Sequence, residues 1–265
     1  MRYCRFQSPK GPAYGMIESM GGRDVITRLV TMPEDASSFG VSTTGDHLTA
    51  LPLNEVKLLA PTVPSKIIGV GRNYRDHAKE LGNEAPSELL IFLKPSSTII
   101  APGEAIVKPR LSQRVDYEGE LGVVIGRKCR NVREDEDVKT YVRGYTCVND
   151  VTARDLQKSD AQWTRAKGFD TFCPVGPLLS DEIDGGNVTV ETHVNGESRQ
   201  RGTTKDFIFS LDAIIRFISR VMTLQPGDLI TTGTPAGVGP LSAGDMVEVT
   251  IPGIGTLRNP VQDEA

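Results

Sequence analysis

At residues 114–125 the chain reads Arg114-Val115-Asp116-Tyr117-Glu118-Gly119-Glu120-Leu121-Gly122-Val123-Val124-Ile125. Alternating polar and β-branched or apolar residues predict a β-strand here. Side chains two residues apart on a strand share a face, so the carboxylates of Glu118 and Glu120 are expected on the same face. Leu121, Val123 and Ile125 have the opposite parity, and we expect them to face a hydrophobic core.

Two carboxylates on one strand face repel each other, and a divalent cation is one way to neutralise them. Hard oxygen ligands select Mg²⁺, Mn²⁺ or Ca²⁺ over zinc. A later strand ends at Asp150, which is the candidate for a third carboxylate because strand ends in one sheet can meet. Three such ligands leave about three positions of an octahedral ion open to water or substrate. The alternative is a solvated strand face that carries unrelated surface acids.

Composition excludes several classes of partner and site. The 265 residues carry 30 Lys and Arg against 34 Asp and Glu, for a net charge of -4, so there is no basic excess for nucleic acid or anionic membrane. The N-terminus has no apolar signal-peptide core and no apolar run reaches membrane-spanning length, so we expect a cytoplasmic protein. The 4 cysteines show no C-x-x-C pairing, which indicates reduced thiols.

The distribution of strands and turns predicts two parts of unequal size. Short strands broken by turn residues continue to about residue 64, where a proline-containing segment, residues 58–65, reads as a linker. We therefore predict a small N-terminal β module over residues 1–64 and a larger domain over residues 65–265. Ser210 is predicted to cap the one long helix, whose apolar residues form a continuous stripe at helical spacing. The predicted fold class is α+β, mainly β.

Three further side chains have the chemistry of a catalytic site. His77 and Glu80 lie at i and i+3 on a predicted short helix, where the carboxylate can orient the imidazole as a general base. An incidental surface pair is the alternative interpretation. Lys167 lies among aromatic and small residues, either as a cation near a developing oxyanion or as an ordinary surface lysine.

Several motifs together resemble one known family. They are Gly71-Arg72-Asn73-Tyr74 with His77 and Glu80, Asp116-Tyr117-Glu118-Gly119-Glu120-Leu121, Asn149-Asp150-Val151-Thr152-Ala153-Arg154-Asp155-Leu156-Gln157, Lys167, and Thr231-Thr232-Gly233-Thr234-Pro235. In this order they resemble the fumarylacetoacetate hydrolase superfamily, especially its compact members. The resemblance covers roughly residues 66 to 261. It implies a β-rich catalytic domain of mixed sandwich or roll type, a Mg²⁺ or Mn²⁺ ion, and a homodimer.

The resemblance also implies roles for individual residues. The metal ligands that it implies are Glu118, Glu120 and Asp150. The catalytic residues that it implies are His77 and Glu80, on a lid over the substrate, and Lys167. The substrate contacts that it implies are Arg72, Tyr74, Gln157 and Thr234. One departure concerns Val70-Gly71-Arg72-Asn73, where the fumarylacetoacetate hydrolases proper place a further acidic ligand and this chain has none.

The resemblance implies chemistry on a small 2-oxo acid of dicarboxylate type. We expect first a divalent-metal-dependent hydrolase that cleaves a C–C bond of an acylpyruvate or fumarylpyruvate through an enolate. The alternatives are an oxaloacetate decarboxylase or tautomerase and a 2-hydroxyhepta-2,4-diene-1,7-dioate isomerase, because each passes through a related enolate. Two hypotheses of another class are a non-catalytic binder of metal and dicarboxylate and a structural protein that holds Ca²⁺ between strands.

Overall fold

The computed structural model describes residues 1–31 and 47–265 of the chain. The N-terminal part forms five strands: β1 (Arg2–Ser8), β2 (Gly11–Met20), β3 (Arg23–Val30), β4 (His47–Pro52) and β5 (Leu58–Leu59). The next strands are β6 (Ile67–Gly71), β7 (Leu90–Lys94), β8 (Ile99–Ile100), β9 (Ile106–Lys108), β10 (Val115–Tyr117), β11 (Gly119–Ile125) and β12 (Val142–Asn149). The last are β13 (Thr152–Ala153), β14 (Cys173–Ser180), β15 (Thr189–Val194), β16 (Glu197–Thr203), β17 (Leu229–Thr231), β18 (Gly239–Pro240), β19 (Met246–Ile251) and β20 (Gly255–Asp263).

Helices are short and few in the described part of the chain. They are α1 (Arg75–Glu80), α2 (Arg154–Ser159), α3 (Thr164–Lys167) and α4 (Leu211–Val221). As predicted, Ser210 caps the longest of them, because its hydroxyl accepts a hydrogen bond of 3.2 Å from the Ala213 backbone N–H. The prediction of an α+β fold, mainly β, is confirmed. None of the helices that the structure describes is long and apolar enough to cross a bilayer.

Three sheets organise these strands. The largest has the order β4-β3-β2-β1-β14-β12-β11-β17-β6-β7, with β5 paired to β1 and β8 to β14. The second has the order β13-β10-β18, and the third has the order β16-β15-β19-β20-β9. Because β1 pairs with β14, the strands of residues 1–64 continue a sheet formed by the rest of the chain. The boundary at residue 64 stays a prediction.

Strand β11 lies at the centre of the large sheet, between β12 and β17. Leu121, Val123 and Ile125 face a core that includes Val249 of the five-stranded sheet, as their parity predicts. The opposite face of β11 is also covered, because Val124 packs in a second buried cluster. The alternative of a solvated strand face is therefore wrong: both faces of this strand lie inside the protein.

A glycine separates the two glutamates for a steric reason. A Cβ atom on Gly119 would lie 2.0 Å from the Thr192 hydroxyl oxygen and 3.3 Å from a methyl group of Val249. Real side-chain atoms do not approach so closely, so the five-stranded sheet can contact β11 here only if residue 119 has no side chain. This contact sets the depth at which Glu118 and Glu120 are buried.

A buried carboxylate joins the start of the parallel strand pair β6 and β17. The Asp228 side chain is fully buried and forms an ion pair with Lys66. It also accepts hydrogen bonds from the Ser65 hydroxyl at 2.6 Å and from the Gln225 backbone N–H at 2.7 Å. These partners come from segments that lie more than 150 residues apart, and a buried carboxylate that loses such partners is costly.

We expect Asp228→Ala to lower the free energy of unfolding by about 3 kcal/mol, because the donors that it satisfies would stay buried without an acceptor. Urea denaturation of the full chain measures this change. The matched control is Asp263→Ala, because the Asp263 side chain is 68% exposed and, within residues 1–31 and 47–265, forms an ion pair only with Lys108; its effect should be about 0.5 kcal/mol or less. Equal effects of the two substitutions would contradict the structural role of Asp228.

Candidate active site

The chain places Glu118 at the break between β10 and β11, next to the end of β12. The Glu118 backbone N–H donates to the Asn149 side-chain oxygen at 2.9 Å, and the Asp150 N–H donates to the Glu118 carbonyl at 2.8 Å. Gly119 pairs with Asn149 in the antiparallel sheet. Glu118, which precedes Gly119, therefore lies beside Asp150, which follows Asn149. Strand register therefore brings Asp150 to the two glutamates.

The three carboxylates form a compact cluster. Glu118, Glu120 and Asp150 each offer an oxygen, and these atoms all lie within 4.8 Å of one another. Their exposed fractions are 4%, 1% and 1%. Oxygen ligands on opposite sides of one Mg²⁺ ion lie about 4.2 Å apart, so the cluster is close to the dimensions that a single ion requires. The structure thus brings together all three acids that the sequence singled out.

Buried cations accompany two of these acids. The Lys167 ammonium lies 2.9 Å from a Glu118 carboxylate oxygen and 2.6 Å from an Asp150 oxygen. Lys94 lies 2.6 Å from the other Asp150 oxygen. Arg154 pairs with Glu118 and, at 2.9 Å, with Asp116. Lys167 is almost fully buried, so the alternative of an ordinary surface lysine is wrong.

These ion pairs change the pKa values of Glu118 and Lys167. Burial by itself would raise the pKa of Glu118, but the charges of Lys167 and Arg154 hold that pKa well below its ordinary value. Burial tends to lower the pKa of Lys167, yet the Asp150 and Glu118 carboxylates raise it above the ordinary value. Glu118 and Lys167 therefore stay charged at neutral pH.

Glu120 has a different environment. Its carboxylate accepts a hydrogen bond of 2.7 Å from the Gly233 backbone N–H, and no ion pair reaches it from the described residues. Burial, followed by the charges of Asp150 and Glu118, raises its pKa well above the ordinary value. A buried carboxylate without a cation is unstable unless a charge compensates it. The donor set, three carboxylates with one uncompensated charge, fits a hard divalent cation.

Helix α1 brings the predicted dyad to the edge of this cluster. The His77 Nδ1 atom lies 3.3 Å from a Glu80 carboxylate oxygen. Glu80 in turn accepts from the Gly237 backbone N–H at 3.0 Å, which ties the helix to the glycine-rich loop of residues 233–239 that follows β17. Burial lowers the pKa of His77, against the charge of Glu118, which raises it. The ring is therefore neutral near pH 7, and Nε2 can accept a proton when Nδ1–H donates to Glu80.

The acids open into a cavity of about 300 Å³. Several residues predicted from the sequence line it, namely Arg72, His77, Glu118, Glu120, Asp150, Gln157, Lys167 and Thr234. Glu80 lies behind His77 and is not in the lining. Tyr74 is buried against Phe207, with ring centroids 5.0 Å apart, and does not line the cavity either. This placement does not support a direct substrate contact for Tyr74.

Thr234 is held by its neighbours. Its hydroxyl donates to the Gly119 carbonyl at 2.8 Å and accepts from the Gln200 side-chain amide at 2.7 Å. Gln200 also accepts from the Gly119 N–H at 3.0 Å. Gln200 thereby fastens the loop after β17 to the glycine between the two glutamates, and this loop places the Gly233 N–H on Glu120.

Arg72 has an unusual backbone conformation and, among the described residues, a side chain without a polar partner. It is one of the few non-glycine residues of the described part with a positive φ, 58°, a conformation that costs about 1 kcal/mol or more. Among the residues that the structure describes, no hydrogen bond or ion pair holds its guanidinium. A strained, unpaired cation in the wall of a cavity is available to a ligand.

Three residues that contact or position the acids, Lys94, Arg154 and Gln200, were not predicted from the sequence as site residues. Lys94 and Arg154 are both buried, and Gln200 lies 81 residues from Gly119, the glycine between the two glutamates. Arg154 carried a signal, because it follows Asp150 by four residues at the start of a predicted short helix. Lys94 and Gln200 carried none, since a lysine before a proline and a glutamine in a hairpin are ordinary surface residues.

Comparison with known proteins identifies the family. Residues 66–262 match the family described as fumarylacetoacetate (FAA) hydrolase, C-terminal, and residues 1–61 match the Rv2993c-like N-terminal family. The chain is 55% identical over 215 residues to an uncharacterized protein of Methanocaldococcus jannaschii, covering 81% of this chain and 88% of that one. It is 46% identical over 265 residues to protein Rv2993c of Mycobacterium tuberculosis, covering 98% of each.

The relatives that are named for an activity differ in the type of reaction. Oxaloacetate tautomerase YisK of Bacillus subtilis is 47% identical over 225 residues, covering 79% of this chain and 74% of that one. The structure of 2-hydroxyhepta-2,4-diene-1,7-dioate isomerase from Mycobacterium marinum is 45% identical, with a TM-score of 0.87 and coverage of 100% and 99%. Fumarylpyruvate hydrolase from Pseudomonas aeruginosa, solved with Mn²⁺ and pyruvate, is 30% identical, with a TM-score of 0.71 and coverage of 77% and 91%. The chain therefore belongs to the fumarylacetoacetate hydrolase family, as its motifs predict.

Proposed function

We propose that this protein is a divalent-metal-dependent enzyme that forms the enolate of a 2-oxo dicarboxylate, with keto–enol tautomerisation as its first reaction. The observation that carries the proposal is the buried cluster of Glu118, Glu120 and Asp150, open to a cavity of about 300 Å³. These three side chains would hold Mg²⁺ or Mn²⁺. When bound, the ion supplies a Lewis acid for the negative charge that develops on the 2-oxo oxygen.

Lys167 supplies a second positive charge at the same place. Its ammonium is fixed by Glu118 and Asp150, at 2.9 and 2.6 Å, so it is preorganised rather than free to move. A cation held in a buried site stabilises a developing oxyanion more than a solvated cation does. Lys167 would therefore favour enolate formation without itself exchanging a proton.

His77 is the candidate base. With Nδ1 turned towards Glu80, the Nε2 lone pair is left for the proton that must leave the substrate carbon, or for that of an attacking water. Since burial keeps the ring neutral, it can accept a proton at neutral pH. A non-catalytic binder has no need for such a base, so the dyad supports an enzyme over that alternative.

We rank tautomerisation before hydrolysis because the relatives named for tautomerisation and isomerisation are more similar in sequence to this chain. The oxaloacetate tautomerase and the diene-dioate isomerase are 47% and 45% identical to this chain, against 30% for the fumarylpyruvate hydrolase. Hydrolysis of a C–C bond, the reaction expected first from the motifs, is the second candidate, and the His77–Glu80 pair favours it because attack by water requires a base. The homodimer and the choice between Mg²⁺ and Mn²⁺ stay predictions.

Two cations in the lining of the cavity support a dicarboxylate substrate. Arg72 and Lys158 both line it, and no ion pair engages either of them among the described residues. A substrate whose 2-oxo carboxylate end lies at the acidic cluster would present a second carboxylate to these cations. Gln157, which also lines the cavity, is held by Arg154 at 2.6 Å and can contact the substrate.

The first test measures turnover of enol oxaloacetate, fumarylpyruvate and acetylpyruvate with Mg²⁺ and with Mn²⁺. We expect Glu120→Gln to lower kcat/KM at least about 100-fold, because it removes an anionic ligand. Measured without metal, its free energy of unfolding should stay equal or rise, because a neutral amide replaces a buried carboxyl group that no cation compensates. Glu191→Gln, on β15, is the matched control and should leave turnover unchanged. Full activity of Glu120→Gln in metal-free buffer would refute the proposal.

The second test separates the two candidate reactions. His77→Ala should abolish hydrolysis of acylpyruvates, with a loss of about 100-fold or more, because no other described residue of the cavity is placed as a neutral base. The measurement is the ratio of hydrolysis to oxaloacetate tautomerisation in wild type and variant. Unchanged hydrolysis in His77→Ala would show that the dyad does not activate water.

The third test concerns the second carboxylate. We expect Arg72→Gln to raise KM for oxaloacetate about 10- to 100-fold, the value of one charge-assisted hydrogen bond, and to leave KM for acetylpyruvate within about twofold. Arg75→Gln, an exposed substitution on helix α1, is the control. Parallel losses for dicarboxylate and monocarboxylate substrates would place Arg72 in a structural role instead.

A further inference from the structure

Two aromatic side chains line the active-site cavity and contact each other. They are Phe92 of β7 and Trp163, the residue that precedes α3, and we call them the aromatic pair. Their ring centroids lie 5.4 Å apart, in an edge-to-face arrangement. Both residues are partly exposed, although their rings are large and apolar. Exposed aromatic surface inside a cavity favours a ligand that covers it with carbon atoms.

Strand β6 leaves room for the aromatic pair. Gly69 lies opposite Phe92 in the pairing of β6 with β7, and a Cβ atom on Gly69 would lie 2.1 Å from a ring carbon of Phe92. Two residues further along β6, a Cβ atom on Gly71 would lie 2.9 Å from a ring carbon of Trp163. Both rings therefore pack directly against the backbone of β6, and a side chain at either position would displace them.

The aromatic pair lies next to the groups proposed to bind the two ends of the substrate. The Lys167 ammonium lies 5.0 Å from the centre of the Phe92 ring, and the Lys167 backbone N–H donates to the Trp163 carbonyl at 3.0 Å. Trp163 also contacts Gly71, the neighbour of Arg72. These contacts run from Lys167 through both rings to the backbone beside Arg72, so a carbon chain that connects the two ends would lie along the aromatic pair.

The aromatic pair suits one kind of carbon chain better than another. Oxaloacetate has a single methylene group between its 2-oxo carbon and its second carboxylate, so it covers little aromatic surface. The favourable burial of apolar surface grows with the number of carbon atoms that make the contact. A longer unsaturated chain is also flat and has few rotatable bonds, so it contacts a ring along its whole length and loses little conformational freedom on binding.

We propose that Phe92 and Trp163 are specificity-determining residues, which contact the carbon chain between the two carboxylates and favour a long unsaturated chain over a short one. The preferred substrate is then a 2-oxo dicarboxylate in which a conjugated chain separates the two ends. This inference rests on the proposed function, because it takes the acidic cluster and Arg72 as the sites for those ends. Neither ring can exchange a proton, so the pair selects the substrate and leaves the reaction to Lys167 and His77.

Ligand binding by the full chain, loaded with Mg²⁺, tests the proposal without turnover. Titration calorimetry compares oxalate, which has two adjacent carboxylates and no chain, with trans,trans-muconate, in which a flat conjugated chain separates them. We expect Trp163→Ala to weaken the binding of muconate about tenfold or more, because the apolar contact with the indole is lost, and to leave that of oxalate within about twofold. Because Trp163 is the single tryptophan of the chain, muconate should also change the intrinsic fluorescence of the wild type.

Two further variants are the controls. Trp163→Phe should keep the affinity for muconate within about threefold, since an aromatic ring remains. Leu111→Ala removes an apolar side chain that is 70% exposed and does not line the cavity, and it should bind both ligands as the wild type does. Should Trp163→Ala fail to fold, Trp163→Leu decides by the same comparison.

Three results would overturn the proposal: a wild type that binds oxalate but not muconate, a Trp163→Ala variant that binds muconate as the wild type does, and an equal loss of both ligands in that variant. Equal losses would show that Trp163 supports the structure of the whole site. A wild type that fails to bind oxalate would instead refute the proposed function, and this inference with it.

Discussion

The structure depends on keeping three carboxylates together in the interior of the protein. Glu118, Glu120 and Asp150 lie within 4.8 Å of one another and are almost fully buried. Like charges at this distance repel strongly where little water can screen them. Lys167, Lys94 and Arg154 offset part of this repulsion, and Glu120 is left with a single backbone donor. An incomplete balance of this kind is typical of a site that binds a cation and reacts, whereas a purely structural network would be complete.

The fold supplies the rigidity that such a site needs. The acids stand at the ends of central strands, covered on one face by the five-stranded sheet and on the other by a second buried cluster. The parts proposed to contact substrate come from other elements: the short helix α1 with His77, the positive-φ residue Arg72 and the glycine-rich loop after β17. Gln200 and Glu80 connect these elements to the loop. A rigid anionic centre with adaptable walls explains how relatives of similar fold carry out tautomerisation, isomerisation and hydrolysis.

Much of the site was accessible from the sequence because its residues have chemical types that stand out in their context. Acids inside an apolar strand are costly, so Glu118 and Glu120 are conspicuous among the apolar residues that follow them. The same holds for the i and i+3 spacing of His77 and Glu80. Lys94 and Gln200 have no such context: a lysine or glutamine near a turn is usually solvated, and only the packing of distant strands buries them. Tyr74 shows the reverse case, because it belongs to a motif yet packs against Phe207 outside the cavity.

The sequence by itself determined the fold class, the parity of β11, the three acids and the family, because each depends on local periodicity or on a motif contained in a few consecutive residues. The tertiary structure alone decided which charges meet. Lys167, Lys94 and Arg154 reach the acids from α3, β7 and α2. Electrostatic interactions depend on distance in space, and separation along the chain carries no information about that distance until the strands are paired.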